Sequence, residues 1–472
     1  MKNIKNKLIM ANTEGQTNFK FTPSQQEAFN VIDKFVKGPI GNTFNDRVLV
    51  LLGEAGTGKT TLLKYALKEL IEDDLNYEKY DEDDFFSDIT NVIPNVMGVT
   101  VSHKAKLRLQ DSIPNACTYA GYFGLKPEYM FDGTIKFVKG KSIPGKTHPH
   151  QIPFSIVVHD EVSMYDMNMI NYLEEYTNSN SKIILVGDPN QLPPIIEDVR
   201  NVSDIDSPVF IYFTNKVKLN ERVRQTVGNP ILDLSSEISK EIFGDKNIER
   251  ILNLIKEDKH KDGVGYRTIK RTELIKDFIS HYVEDNETRV ICYRNKTIDT
   301  INRNIRKKLF PDANEIFVKG DALYMNLTYK NSHDRSFYNS DEFTILNLKK
   351  ENYQGIEVYR AQVKHQEEEY ILLVTEKSLP LYKEILNSKR NAAKNADFKS
   401  KGKKWEDFYN FRDTFADVSY GYAFTAYKAQ GSDFTNVYVD LNDILSTPIS
   451  DKRKLQTLYT AITRATHQVI FF

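Results

Sequence analysis

Cysteine is almost missing from this 472-residue sequence: Cys117 and Cys292 stand alone with no CxxC pair, so neither a disulfide framework nor a zinc ribbon can be built from it. Both read as small buried hydrophobes. Long apolar runs are missing too, since stretches such as 48–52 and 183–186 fall far short of the roughly 18 residues that a membrane span needs, and no membrane partner is expected. The opening MKNIKNKLIMANTEG has lysines, but its apolar stretch 8–11 is too short for the core of a signal peptide. It reads as a frayed terminus of a cytoplasmic protein. Net charge is lacking as well: 64 basic residues offset 65 acidic ones, so no global positive field draws in nucleic acid and any such site must be a local groove.

What is present is a chain that is 40% hydrophobic and longer than one core normally serves, which implies two or more domains. Short β-branched runs alternate with amphipathic helical stretches, the pattern of a parallel α/β protein, and the pattern occurs twice. The first block has candidate strands at 47–52, 95–101, 154–159 and 182–187. The second has strands at 289–293, 436–440 and 468–472, with helices near 296–309 and 453–463. Two similar lobes imply a cleft between them.

Between 316 and about 364 the alternation becomes strand-only, followed by EYILLVT, which points to a small antiparallel barrel inserted in the second lobe. A basic stretch, 378–405, then reads as helical and exposed, and its segment 389–404 holds seven bases and one acid. A shorter insertion, 126–150, reads as a β-hairpin on the first lobe around TIKFVKGKS. Residues 72–88 hold nine acids and one lysine and read as a solvated acidic loop. The expected division is 1–125 with 151–215 for the first lobe, 126–150 for the hairpin, 216–315 with 417–472 for the second lobe, and 316–416 for the barrel and its basic extension.

The string GEAGTGKTT fits GxxxxGK[ST], set after an apolar strand and before a helix-forming run. Gly53, Gly56 and Gly58 let the backbone curl so that its N–H groups and the helix N-terminus face phosphates. With Ala55, Thr57 and Thr61 they form a cradle in which Lys59 would neutralise the β- and γ-phosphates of ATP and Thr60 would hold Mg²⁺. A carboxylate at the end of a neighbouring strand completes a magnesium site, and FSIVVHDEVS supplies Asp160 for the metal and Glu161 to deprotonate the attacking water. The bland alternative is a helix start. GDPNQLPP puts Gln191 within reach of the γ-phosphate, against the alternative of a proline-rich turn. Two arginines outside the first lobe, Arg224 and Arg464, are candidates to stabilise phosphoryl charge across the cleft. For Arg464, at the end of a helix, a dipole partner is the competing reading.

Taken in order, FTPSQQEAF, GEAGTGKTT, VTVSHKAK, DEVSMYD, GDPNQLPP, LNERVRQ, AYKAQGSDF and LYTAITRA resemble the superfamily 1 helicases of the RecD-like branch, most nearly the phage Dda-type members. The resemblance covers 21–472. It implies two RecA-like parallel-sheet lobes, a β-hairpin insertion in the first and an SH3-like β-barrel in the second. It further implies an ATP-driven motor that moves 5′ to 3′ on single-stranded DNA and unwinds forked duplex, working as a monomer in phage replication or recombination inside the host cytoplasm, with a single-strand-binding protein as a possible partner. Carried over by position, Gln25 would read adenine, while Gln430 and Gly431 would sit beside ATP. Ser102, His103, Thr118, Thr425 and Lys428 would follow the DNA phosphates. Where the family often has Thr-x-His, this chain has Thr118, Tyr119 and Ala120, so Tyr119 is a candidate to stack on bases. The family's glycine-containing barrel turn is replaced by Tyr338, Asn339, Ser340 and Asp341. Phe137 in the hairpin is either a wedge at the fork or part of the hairpin's own core. A P-loop ATPase that clamps or remodels nucleoprotein without unwinding is the alternative function.

Overall fold

The computed structural model describes residues 20–75, 95–129, 135–139, 148–194, 206–221, 223, 229–261, 263–285, 287–332, 335–365 and 367–472. Arg224 and most of the acidic run, 76–88, lie outside the described residues. No helix among the described residues is long and apolar enough to cross a membrane.

In chain order the first strands are β1 (Val48–Gly53), β2 (Val96–Thr100), β3 (Ala116–Thr118), β4 (Leu125–Tyr129), β5 (Ile135–Lys139), β6 (Ile156–His159), β7 (Lys182–Gly187) and β8 (Lys216–Leu219). Six of them form one sheet in the order β3-β2-β6-β7-β1-β8, and every pairing is parallel. Residues of β6 and β7 are buried throughout, as strands covered on both faces must be. Helices Pro23–Lys37 and Lys59–Ala66 supply Ala28, Ile32, Leu62 and Leu63 to the core on one face. On the other, Tyr122, Phe123, Ile170 and Leu173 close the second core layer.

The chain continues with β9 (His260–Lys261), β10 (Val264–Thr268), β11 (Thr288–Cys292), β12 (Ala322–Met325), β13 (Tyr329–Lys330), β14 (Ser336–Phe337), β15 (Glu342–Tyr353), β16 (Ile356–Lys364), β17 (Glu368–Val374), β18 (Val418–Tyr420), β19 (Ala423–Thr425), β20 (Phe434–Val439) and β21 (Ala465–Phe471). The second lobe's sheet runs β19-β11-β20-β21-β10-β9, parallel except for the short β9–β10 pair. Helices Pro230–Phe243 and Asp451–Ile462 pack together on one face around Leu234, Ile238, Leu458 and Ile462. Both lobes therefore have the architecture that the strand–helix alternation implies.

The inserted element is an antiparallel sheet in the order β17-β16-β15-β12-β18. Its two outer strands are drawn toward each other by the Ala416 N–H, which donates to the Leu372 carbonyl at 2.8 Å, and Leu323, Phe343, Val363 and Leu373 share one core. The helical extension is a hairpin of Leu379–Lys394 and Phe398–Asp413, longer than expected and not wholly exposed, because Trp405, Phe408 and Tyr409 bury against Ala393. The first-lobe hairpin is the antiparallel pair β4–β5, with Phe137 opposite Pro127.

Two expected boundaries move. The second lobe does not begin at 216, because β8 pairs with the edge of β1 and buries Val217 and Leu219 in the first lobe. Its lysines point outward on the alternate positions, so four residues carry too weak a pattern to read as a strand. Likewise the insertion extends past 416, since β18 pairs with β12 and joins the inserted sheet.

Candidate nucleotide site and nucleic-acid interface

Parallel strands bring their loops together at the carboxyl edge of the sheet, and every first-lobe motif lies there. After β1 the chain turns through Gly56 and Gly58, both with positive φ (80° and 78°), into the N-terminus of helix Lys59–Ala66. A Cβ on Gly58 would come within 2.8 Å of Gln25 Nε2 and 2.9 Å of Val223 Cγ2, so the cradle requires glycine there for space as well as for conformation. Lys59 Nζ donates to the carbonyls of Gly53 (2.7 Å) and Glu54 (3.0 Å), which fixes its ammonium inside the loop.

Gln25 is fully buried, with Nε2 donating to the Thr57 carbonyl at 3.0 Å and Oε1 accepting from the Thr22 N–H at 3.1 Å. Thus its amide braces the phosphate loop. The Val223 N–H donates to the Gly56 carbonyl at 2.9 Å, and Glu221 accepts from Thr22 and Ser24, tying the string LNERVRQ to the same loop and to the helix before it.

Asp160 and Glu161 follow β6. Desolvation pushes both carboxyls up from ordinary values, opposed for Asp160 by the Glu161 N–H and Lys59, and for Glu161 by Arg464, Lys59 and Arg108. The Glu161 N–H donates to Asp160 Oδ1 at 2.9 Å. Glu161 holds φ at 56°, a left-handed conformation that costs a non-glycine residue about 1 kcal/mol or more and is concentrated at functional sites.

From the second lobe comes Arg464, 4% exposed. Its Nε donates to the Thr460 carbonyl (3.2 Å), Nη1 to the Ser432 carbonyl (3.2 Å) and Nη2 to Thr463 Oγ1 (3.3 Å). It lines one cavity of about 690 Å³ together with Gly58, Lys59, Thr60, Asp160, Glu161, Gln191 and Gly431. That size is typical of a small-molecule site. Gln430 Nε2 donates to Gln191 Oε1 at 3.3 Å, joining the lobes beside this cavity. The residues fit a magnesium nucleotide: two positive-φ glycines, with no room for a Cβ at Gly58, an ammonium, a hydroxyl at Thr60 and two adjacent carboxyls at the floor.

Arg108 is a cleft residue that sequence reasoning missed. From helix His103–Gln110 its Nη1 donates to the Gly431 carbonyl (2.7 Å) and its Nη2 pairs with Asp433 (2.8 Å), another link between lobes. It sits four residues beyond Lys104 of VTVSHKAK, and nothing in a single sequence distinguishes it from a solvated helix face.

Ser102, two residues past β2, and Thr118 and Thr425, which end β3 and β19, each cap a following helix, accepting from the N–H groups of Ala105 (3.2 Å), Gly121 (3.1 Å) and Lys428 (3.1 Å). Thr118 adjoins Thr100 across the β2–β3 pair, so Ser102 and Thr118 are neighbours on the first lobe. Lys428 lies over the Tyr324 ring at 4.1 Å and reaches Asn326 at 3.3 Å; burial pushes its pKa down.

Two DNA-contact expectations are corrected. Tyr119 is 7% exposed, in the first lobe's core, with its hydroxyl donating to the Met169 carbonyl at 2.9 Å, so it offers no face to a base. His103 stacks on Tyr338 (ring centroids 3.8 Å apart, planes at 16°), and its Nδ1 is 3.8 Å from Asp341 Oδ1. Its partner is the inserted sheet. Beside it Lys104 pairs with Glu342 at 2.5 Å, and Arg289 of β11 pairs with the other oxygen at 2.7 Å, so one carboxylate clasps first lobe, inserted sheet and second lobe. The turn without glycine, Tyr338 to Asp341, is closed by the Tyr338 N–H donating to Asp341 Oδ2 (2.7 Å), with Ser340 at φ 71°. The side chain of Phe137 lies outside the described residues.

Comparison with known proteins agrees with this geometry. Residues 38–197 match the AAA domain family and residues 420–472 the UvrD-like helicase C-terminal domain, one match in each lobe. The chain is 25% identical to the ATP-dependent DNA helicase dda of Enterobacteria phage T4, over 95% of this chain and 98% of that protein. It is 23% identical to an uncharacterised protein of Acanthamoeba polyphaga mimivirus, over 96% and 99%. Among solved structures, Bacteroides Pif1 bound to single-stranded DNA covers 96% of this chain and 92% of its own, with 14% identity and a TM-score of 0.50, a likeness of fold. These findings make the chain similar to the superfamily 1 helicases in both lobes. Within that class it is similar to the Dda type.

Proposed function

We infer that this chain is an ATP-dependent DNA helicase that moves 5′ to 3′ along single-stranded DNA and separates the duplex ahead of it. One observation carries the reading: Arg464, brought by the second lobe, shares a cleft with Lys59, Thr60, Asp160 and Glu161 of the first. A guanidinium in that position feels whether the terminal phosphate is attached, so binding and hydrolysis of ATP change the attraction between lobes. Lys59 holds the β- and γ-phosphates. Glu161, with its carboxyl raised by burial, is suited to take the proton of the attacking water. Gln191 passes the state of the γ-phosphate to Gln430, and Arg224 adds a second cation. Thr60 and Asp160 would hold a magnesium ion, which supplies charge neutralisation on the phosphates.

Hydroxyls at Ser102, Thr118 and Thr425 with Lys428 form the phosphate track, a contact that holds a strand without reading its sequence. The alternation of grip between lobes as the cleft opens and closes makes the motion directional. Phe137 in the β4–β5 hairpin serves as the wedge at the fork. The domain units are the two lobes, the hairpin and the inserted sheet with its helical hairpin. The setting that fits the Dda-type likeness is phage replication or recombination in the host cytoplasm, as a monomer, with single-strand-binding protein nearby.

The test is strand separation on forks with a single tail of either polarity. Separation of the 5′-tailed fork with ATP and magnesium is expected, with the 3′-tailed fork left intact. DNA-stimulated ATP turnover without separation of either fork would instead identify a clamp or remodelling ATPase.

A further inference from the structure

The cleft is bordered by a network of hydrogen bonds that none of the roles above uses. Tyr459, fully buried on helix Asp451–Ile462, donates its hydroxyl to Asp188 Oδ2 at 2.8 Å and accepts from the Ala55 N–H at 3.0 Å. Asp188 Oδ1 accepts from the Asn190 backbone N–H (3.0 Å) and side-chain amide (2.9 Å). Ser239, on helix Pro230–Phe243, lies 2.8 Å from both Asn190 Oδ1 and Glu54 Oε1 and donates its single proton to one of them at a time, and Glu54 adjoins Ala55. Two second-lobe helices are therefore pinned to both first-lobe loops that meet the nucleotide.

The same tyrosine leads to the arginine. Its backbone carbonyl accepts from the Thr463 N–H (3.1 Å) and from Thr463 Oγ1 (2.8 Å), and that oxygen accepts from Arg464 Nη2 at 3.3 Å. One residue thus grips the phosphate loop and Asp188 with its hydroxyl while its carbonyl holds the end of the helix that presents Arg464.

We propose that Tyr459 is a positioning residue that sets Arg464 against the transferring phosphate, through a hydrogen-bonded network with Asp188, Asn190, Ser239 and the phosphate loop. The inference rests on the ATPase reading of the cleft. Because the Tyr459 hydroxyl donates and accepts at once, phenylalanine cannot substitute for it, although the ring itself still fits the core. Burial and the charges of Asp188 and Glu54 push the phenol's pKa up, so the proton it donates is retained. Loss of the hydroxyl leaves a buried carboxylate oxygen and a loop N–H each short of a partner, and loosens the helix that presents Arg464 from the phosphate loop. Substrate binding depends chiefly on Lys59 and the loop. Arg464 contributes mainly in the transition state, so its displacement is read in kcat and not in KM.

The experiment compares wild type, Tyr459→Phe, Ser239→Ala, Arg464→Ala and the Tyr459→Phe/Arg464→Ala double variant, with ATP turnover measured against ATP concentration at saturating single-stranded DNA. Melting temperature and nucleotide affinity of each variant are recorded alongside. Tyr459→Phe should lower kcat about ten-fold or more with KM within about two-fold of wild type, and Ser239→Ala should move in the same direction by less. In the double variant Arg464→Ala should cost clearly less than it does alone, because its placement has already been lost. An unchanged kcat in Tyr459→Phe, a change confined to KM, or losses that multiply independently in the double variant would each overturn the inference. A wild-type protein without ATP turnover would instead refute the reading on which it rests.

Discussion

Gly58→Ala separates the space requirement of the phosphate loop from its conformational requirement. Gly58 has φ 78°, and an added Cβ would meet Gln25 Nε2 at 2.8 Å and Val223 Cγ2 at 2.9 Å. The left-handed backbone alone costs alanine about 1 kcal/mol. Moving Gln25 aside sacrifices its bond to the Thr57 carbonyl, about another 1 kcal/mol. If the loop relieves this strain by leaving its phosphate-binding shape, nucleotide affinity should fall about thirty-fold, the equivalent of ~2 kcal/mol. Gly355→Ala is the matched control, since Gly355 has φ 85° with nothing within 4 Å of its added Cβ. It carries the same backbone cost in the β15–β16 turn, far from the cleft. Equilibrium titration with a fluorescent ATP analogue, together with melting curves, reads both. The reasoning fails if Gly58→Ala binds nucleotide like wild type, or if Gly355→Ala weakens binding equally.

Three further outcomes follow from the geometry. Glu342→Gln removes the charge that pairs with both Lys104 and Arg289, so the inserted sheet should loosen from the first lobe and single-stranded DNA should dissociate several-fold faster in a stopped-flow chase, with DNA-free ATP turnover unchanged. Burial pushes His159 down to about 3 and His150 down to about 4. Below the unfolded value near 6.5 the unfolded chain takes protons that the folded chain refuses, so each histidine removes about 1.4 kcal/mol of stability per pH unit as pH falls from 6.5 toward its folded value. His159→Gln, which cannot charge, should show a shallower loss of denaturation midpoint between pH 6.5 and 4.5; an unchanged pH slope would contradict its burial in the neutral form. Lys59→Ala should abolish ATP turnover with and without DNA, and turnover at the wild-type rate would remove the ammonium from the mechanism.

The strands of both lobes were legible because buried parallel strands read as continuous β-branched runs; β7 spans the residues expected of it. The glycine cradle was legible because its chemistry is local, and Lys59 and Glu161 are set by the loops that immediately follow β1 and β6. What escaped was non-local. Strand β8 buries two residues and exposes two, a signal too short to assign it to a sheet. Tyr119 occupies a position where an exposed aromatic and a core aromatic look alike in sequence, and only the packing of Phe123, Tyr165 and Met169 decides it. The family resemblance of VTVSHKAK implies a phosphate contact for His103, whereas its partners Tyr338 and Asp341 lie more than 230 residues away. Arg108 and Tyr459 are likewise defined by partners on the opposite lobe.

A guanidinium lent by one lobe to chemistry housed in the other is the claim on which the motor reading stands, and Arg464→Ala in single-turnover ATP hydrolysis tests it most directly. With saturating ATP and DNA the hydrolysis rate should fall about a hundred- to a thousand-fold, while nucleotide affinity stays near wild type. Hydrolysis at the wild-type rate in a folded, nucleotide-binding variant would contradict the account.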